Sequence, residues 1–223
     1  VVLSANGAES PRLLLESDDL ANSSGFVGRN LMYNAHAGVS AVFEKPLNEY
    51  KGVQATRVIM DFYESDPARG FYGGGGIDAR GGLAMTPLMY ATFGAPPADK
   101  NWGADYKEML AHSFSRQMGM MVSATSLPMD RNNITLHPEQ TDKWGRPAIV
   151  VTYKDHPDDV SNAQFLQDKA QELLDAVGPE RTWSQPAGET TGGVHLLGTC
   201  RMGDDPAVLE RLIVETGLAD GYE

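Results

Sequence analysis

Short apolar runs broken by turn residues dominate the middle of the chain. Segments 41–43, 55–62, 120–125, 133–136 and 148–153 are β-branched or alternate apolar with polar positions, and Gly, Pro, Asn or Asp bounds each one. These five segments are predicted strands, and their short connections imply antiparallel pairing. Between the last two, Asp142-Lys143-Trp144-Gly145-Arg146-Pro147 carries Gly and Pro where a tight turn needs them. Two stretches follow the helical period instead. Residues 105–118 predict one helix. Residues 158–177 predict the strongest, with Phe165, Leu166, Ala170, Leu173, Leu174 and Val177 on one stripe and Gly178-Pro179 as its stop. The opening run, 1–4, reads as a buried strand. A turn over 5–8 then leads into a helix in which Ser10 is the N-cap and Pro11 the first helical residue. The pattern as a whole is α+β, an antiparallel sheet backed by helices.

Gly74-Gly75-Gly76-Ile77-Asp78-Ala79 satisfies a relaxed dinucleotide-binding pattern, but no apolar strand leads into it and Arg80-Gly81-Gly82 interrupts the helix such a turn requires. It reads as a flexible loop. With 223 residues, 41% of them hydrophobic, the chain is long enough to build a real core. A net charge of -12 argues against nucleic acid, whose binding depends on clustered Lys and Arg. No apolar run reaches the roughly 18 residues of a membrane-spanning helix. The single cysteine, Cys200, excludes an internal disulfide. Asp130-Arg131-Asn132-Asn133 lacks the glycine and distal glutamate of a calcium loop, and no His pair has zinc spacing, so no metal is expected.

Chemistry concentrates near the end, in Thr191-Gly-Gly-Val-His195-Leu-Leu-Gly198-Thr199-Cys200-Arg201-Met-Gly203. Imidazole is the side chain that most readily exchanges a proton near neutral pH, and flanking glycines let backbone or ligand approach closely. The alternatives are a core histidine bonded to a carbonyl, or a thiol nucleophile at Cys200 with His195 as its base. No orienting third group stands at a recognisable spacing for the second.

The block His195-x-x-Gly-Thr-Cys-Arg-Met-Gly resembles the late active-site motif of the glucose-methanol-choline (GMC) family of FAD-dependent alcohol oxidoreductases. Residues 1–17, ending in Ser10-Pro11-Arg12-Leu13-Leu14-Leu15, resemble the family's second signature, with Asn6-Gly7 departing from its strictest form. Val27-Gly28-Arg29-Asn30-Leu31-Met32 resembles the stretch that closes the FAD-binding region, although Asn34 stands where the family usually has histidine. The 142–147 turn resembles a hairpin of GMC substrate domains. The resemblance implies His195 as the catalytic proton acceptor and Asn6, Gly28, Asn30, Gly198 and Thr199 as cofactor-binding residues, with Cys200 in packing. It also implies a partial FAD-binding strip over 1–35, a substrate domain over 36–190, and the active-site motif with an incomplete return to the FAD domain over 191–223. The implied substrate is a small alcohol, most like the sugars, polyols and sugar acids of bacterial dehydrogenases. Electron acceptor and compartment, cytoplasmic or periplasmic, stay open. The family's pyrophosphate-binding turn and closing Asn-Pro-Thr-like segment do not occur in these residues, and 208–218 reads as an amphipathic helix instead. The chain alone is therefore expected to hold little FAD and to be inactive. A cofactor-free binding module or a truncated product on the same scaffold is the competing reading.

Overall fold

The computed structural model describes residues 2–53, 55–80, 86–185, 187–188, 193 and 195–201. The expected helix over 208–218 lies outside the described residues. The chain divides into two compact units, one built from the described residues within 1–33, 128–154 and 192–223, the other from those within 34–127 and 155–191. The hairpin around 142–147, expected inside the middle segment 36–190, belongs to the first unit.

In chain order the elements are α1 (Asn6–Glu16), β1 (Met32–Tyr33), β2 (Ala35–Val42), β3 (Ala55–Ile59), β4 (Gly75–Arg80), α2 (Pro87–Met89), α3 (Ala104–Ser113), β5 (Gln117–Ala124), β6 (Asn133–Thr141), β7 (Pro147–Thr152), α4 (Pro157–Val177), β8 (Arg181–Gln185) and β9 (Leu196–Leu197). The fold mixes helices with antiparallel sheets, as the hydrophobic pattern implies.

The second unit is a five-stranded antiparallel sheet in the order β3-β4-β5-β2-β8, with α4 packed on it. Alternation along β2 turns Ala37, Val39 and Ala41 toward the helix, where they meet Ile77 and Val122 from the sheet and Ala163, Leu166, Ala170 and Leu174 from α4. The helix starts at His156, whose Nδ1 accepts the Asp158 N–H at 3.1 Å, with Pro157 at its first position; Gly178 ends it. Its buried stripe is narrower than expected. Leu173 and Val177 are 37% and 65% exposed, because each is rotated away from the line through Leu166, Ala170 and Leu174.

Two expectations for this unit are corrected. The glycine run at 74–79 is no flexible loop: Gly75–Arg80 is a strand between β3 and β5. A Cβ at Gly75 would collide with the Ser123 carbonyl and lie 2.8 Å from Leu166 Cδ1, so glycine is what lets this strand sit against its neighbours. Second, the helix expected over 105–118 stops at Ser113, whose hydroxyl bonds back to the Met109 carbonyl at 2.6 Å. Residues from Gln117 onward pair with β2 instead, and from Gly119 with β4 as well, which satisfies the backbone of the central strand. β8 was not anticipated from the sequence.

In the first unit, β6 and β7 form a hairpin whose turn is tied by Asp142: its Oδ1 accepts from the N–H groups of Trp144 (2.8 Å) and Arg146 (3.1 Å). Arg12 of α1 reaches the same residue, Nη2 to Asp142 Oδ2 at 2.8 Å, and Arg146 pairs with Glu16. Desolvation opposes ionisation of Asp142, yet bonds from Arg146, Trp144 and Arg12 hold its carboxyl below the usual carboxylate range. Residues 2–4 are not the buried strand expected; Val2 is 90% exposed, and no described strand pairs with them.

Candidate active site

The site is built from α1 outward. The Asn6 side chain, not Ser10, caps this helix: at φ 66° its Oδ1 accepts from the N–H groups of Ala8 (2.7 Å) and Glu9 (3.1 Å). Asn tolerates the left-handed backbone that lets it do so, which moves the helix start upstream of the expected cap. Ser10 and Pro11 consequently lie inside the helix, buried. Proline has no N–H, so the Gly7 carbonyl, one turn earlier, lacks its α-helical donor. The Thr199 hydroxyl bonds that carbonyl at 2.6 Å, and Thr199 is 1% exposed.

Thr199 is fastened from a second side, where the Gly28 N–H donates to its carbonyl at 2.8 Å. The Gly28 carbonyl in turn accepts from Ile134 N–H at 2.7 Å. Gly198 adopts φ 87°, and a Cβ there would collide with the Asn30 carbonyl, so the two segments meet backbone to backbone. Asn30 is buried and uses both ends of its amide: Nδ2 donates to Asp130 Oδ1 at 3.1 Å, while Oδ1 accepts from Arg201 Nη2 at 2.7 Å. The Arg201 guanidinium also lies over the Phe26 ring, 5.1 Å from its centroid.

His195 is exposed and immediately precedes β9, which pairs with β1 through Leu196 opposite Tyr33 and Leu197 opposite Met32. Beneath this pair, Leu31, Tyr33 and Ile134 form a small core with Ala8, Ile149, Tyr153 and Leu196, and the Tyr33 and Tyr153 rings meet edge to face at 4.5 Å. Desolvation of its sulfur pushes the Cys200 thiol up, against a bond with Thr199, although the residue as a whole is exposed. A raised thiol is a poor source of thiolate. Among the described residues no group of three or more His, Cys, Asp or Glu is placed to hold a metal ion, and no helix is long and apolar enough to cross a membrane.

Asn6, Gly28, Asn30, Gly198 and Thr199 are therefore brought together within one unit, beside the strand that follows His195. The polar groups this cluster shares are bonded inside the protein: Asn6 Oδ1, both ends of Asn30, the Thr199 hydroxyl and the Gly28 amide and carbonyl. These bonds hold the three segments together. Sequence reasoning missed Asp130 and Arg201, which complete the cluster, and the consequence of Pro11. The signal for the latter was present, since a helix beginning at Asn6 leaves the carbonyl four residues before Pro11 in need of a donor.

A family model described as GMC oxidoreductase matches residues 128–212. Among curated proteins, the chain is 34% identical to a 2-methyl-1,2-propanediol dehydrogenase of Mycolicibacterium austroafricanum, over 92% of this chain and 38% of the relative. It is 24% identical to the gluconate 2-dehydrogenase flavoprotein of Pantoea cypripedii, over 92% of this chain and 36% of that protein. Against the paromamine 6'-oxidase of Streptomyces fradiae the identity is 26%, over 99% of this chain and 37% of the oxidase. The chain thus spans less than two fifths of the length of these relatives.

Proposed function

Because this chain belongs to the GMC oxidoreductase family, we propose that it is the substrate-domain and active-site portion of an FAD-dependent enzyme that oxidises the hydroxyl of a small diol, polyol, sugar or sugar acid. The reading is supported chiefly by one observation: three motifs far apart in sequence, 6–11, 28–31 and 198–201, meet in a single unit next to His195.

In this reading His195 accepts the hydroxyl proton of the substrate while a hydride leaves the carbinol carbon, so the C–O bond becomes a carbonyl and the two electrons leave with the hydride. FAD, when bound, supplies the acceptor for that hydride. His195 suits its part because neutral imidazole can take a proton at physiological pH and release it to water afterward. Its exposure gives that proton a route out. Asn6, Gly28, Asn30, Gly198 and Thr199 form the flavin-side wall, and the sheet with α4 serves as the substrate domain, flanked by strips of the FAD-binding domain. The glycine-rich pyrophosphate-binding turn such an enzyme needs does not occur in these residues, so these residues alone are expected to hold little FAD.

Anaerobic mixing of the holoenzyme with small diols, sugars and sugar acids tests the proposal. Bleaching of the flavin absorbance by at least one of these classes, with a matching carbonyl product, is expected. Failure of every primary and secondary alcohol to reduce the flavin would contradict it.

A further inference from the structure

The strand that follows His195 is only two residues long. Leu196 and Leu197 pair with Tyr33 and Met32, and a ladder this short specifies its own register weakly. A slip of one residue would turn every side chain, His195 included, to the opposite face. What lies just downstream supplies the missing definition. The Thr199 hydroxyl bonds the Gly7 carbonyl at 2.6 Å, the one that Pro11 leaves without its α-helical donor. The Gly28 N–H holds the Thr199 carbonyl at 2.8 Å, and Arg201 is tied through Asn30 to Asp130.

We propose that Thr199 is a positioning residue: its hydroxyl, seated on the carbonyl freed by Pro11, sets the register of β9 and so the direction in which His195 points, with the Arg201–Asn30 bond as a second anchor. The inference rests on the reading of His195 as proton acceptor. Thr199 lies in the flavin-side wall, but its hydroxyl is bonded to the Gly7 carbonyl and acts through β9. The logic is geometric. Gly7 is fixed in α1, α1 is clamped to the β6–β7 hairpin by Arg12 and Asp142, and a hydroxyl that must reach one particular half-buried carbonyl allows a single register for the strand three residues before it. Displacing a catalytic group by about 1 Å can cost on the order of 100-fold in rate even when the change is remote from the chemistry.

In the holoenzyme, Thr199→Val keeps the shape and removes the hydroxyl, whereas Thr199→Ser keeps the hydroxyl. Thr199→Val is expected to lower kcat by about 10- to 100-fold with KM and flavin content unchanged, and Thr199→Ser to restore the rate. In a His195→Ala background Thr199→Val should lower kcat no further, because there is no imidazole left to misplace. Amide hydrogen exchange at Leu196 and Leu197 should quicken in Thr199→Val while α1 stays protected. Equal losses in the Val and Ser variants, or an undiminished effect of Thr199→Val in the His195→Ala background, would overturn the positioning role. Should Thr199→Val not fold, Arg201→Gln, at a half-buried site, carries the same expectations for coupling and exchange. Normal turnover by His195→Ala alone would overturn the catalytic reading and the positioning role with it, while unchanged exchange at 196–197 would overturn the register lock itself.

Discussion

Asp159 sits in the first turn of α4 with 2% exposure and receives the Leu127 N–H on both carboxylate oxygens, at 3.1 and 3.2 Å. Burial pushes this acid up to about 7, the Leu127 N–H opposing the rise and the neighbouring Asp155 and Asp158 charges adding to it. Its folded value lies above the ordinary 3.8, so the stability linked to its proton is full below 3.8 and lost as pH rises through about 7. Replacing Asp159 with Asn should flatten the fall in the urea midpoint between those two values and leave the variant at least as stable as the parent above pH 7. An unchanged slope in Asp159→Asn would assign the pH dependence elsewhere. Little of this was visible in the sequence, where Asp158 and Asp159 read as ordinary acids near a helix start. Their difference is burial, which follows from which face of α4 meets the sheet. Asn6 and Thr199 carry a related lesson. Both were identified from a motif, but what their side chains bond depends on a helix starting five residues before Pro11.

The sheet and α4 owe their stability to a close match between small and large side chains. Leu166 is fully buried among Val39, Ile77 and Val122, and Gly75 gives its Cδ1 room. Leu166→Ala should therefore cost about 2 to 5 kcal/mol, measured by denaturant unfolding; a loss well under 1 kcal/mol would mean the sheet collapses onto the smaller residue. β3, β7, most of β5, the first half of β6 and nearly the full span of α4 were legible, whereas only the last two residues of β2 were. β4 was not. Three glycines erase the apolar signal of a strand while making that strand sterically possible between β3 and β5. The end of α3 was hidden for a different reason: Gln117 and Met118 continue a helical pattern locally, but pairing with Val42 and Ala41 of β2 draws them into β5.

Across the whole chain, sequence order and spatial grouping part company. The described residues of the first unit come from three separated segments, and the Arg12–Asp142 and Arg146–Glu16 pairs join the 133–152 hairpin to α1. Motif resemblance singles out 6–11, 28–31 and 195–201, which periodicity does not, and the Thr199–Gly7 and Arg201–Asn30 bonds join these segments within one unit. The claim on which the account turns is that His195 takes the substrate proton. The direct measurement is turnover per bound flavin in the His195→Ala holoenzyme, taken beside its flavin content and melting temperature. A fall of about 100- to 10,000-fold in turnover is expected, with flavin content and melting temperature close to the parent. Normal turnover together with a lowered melting temperature would contradict it and make His195 a structural residue.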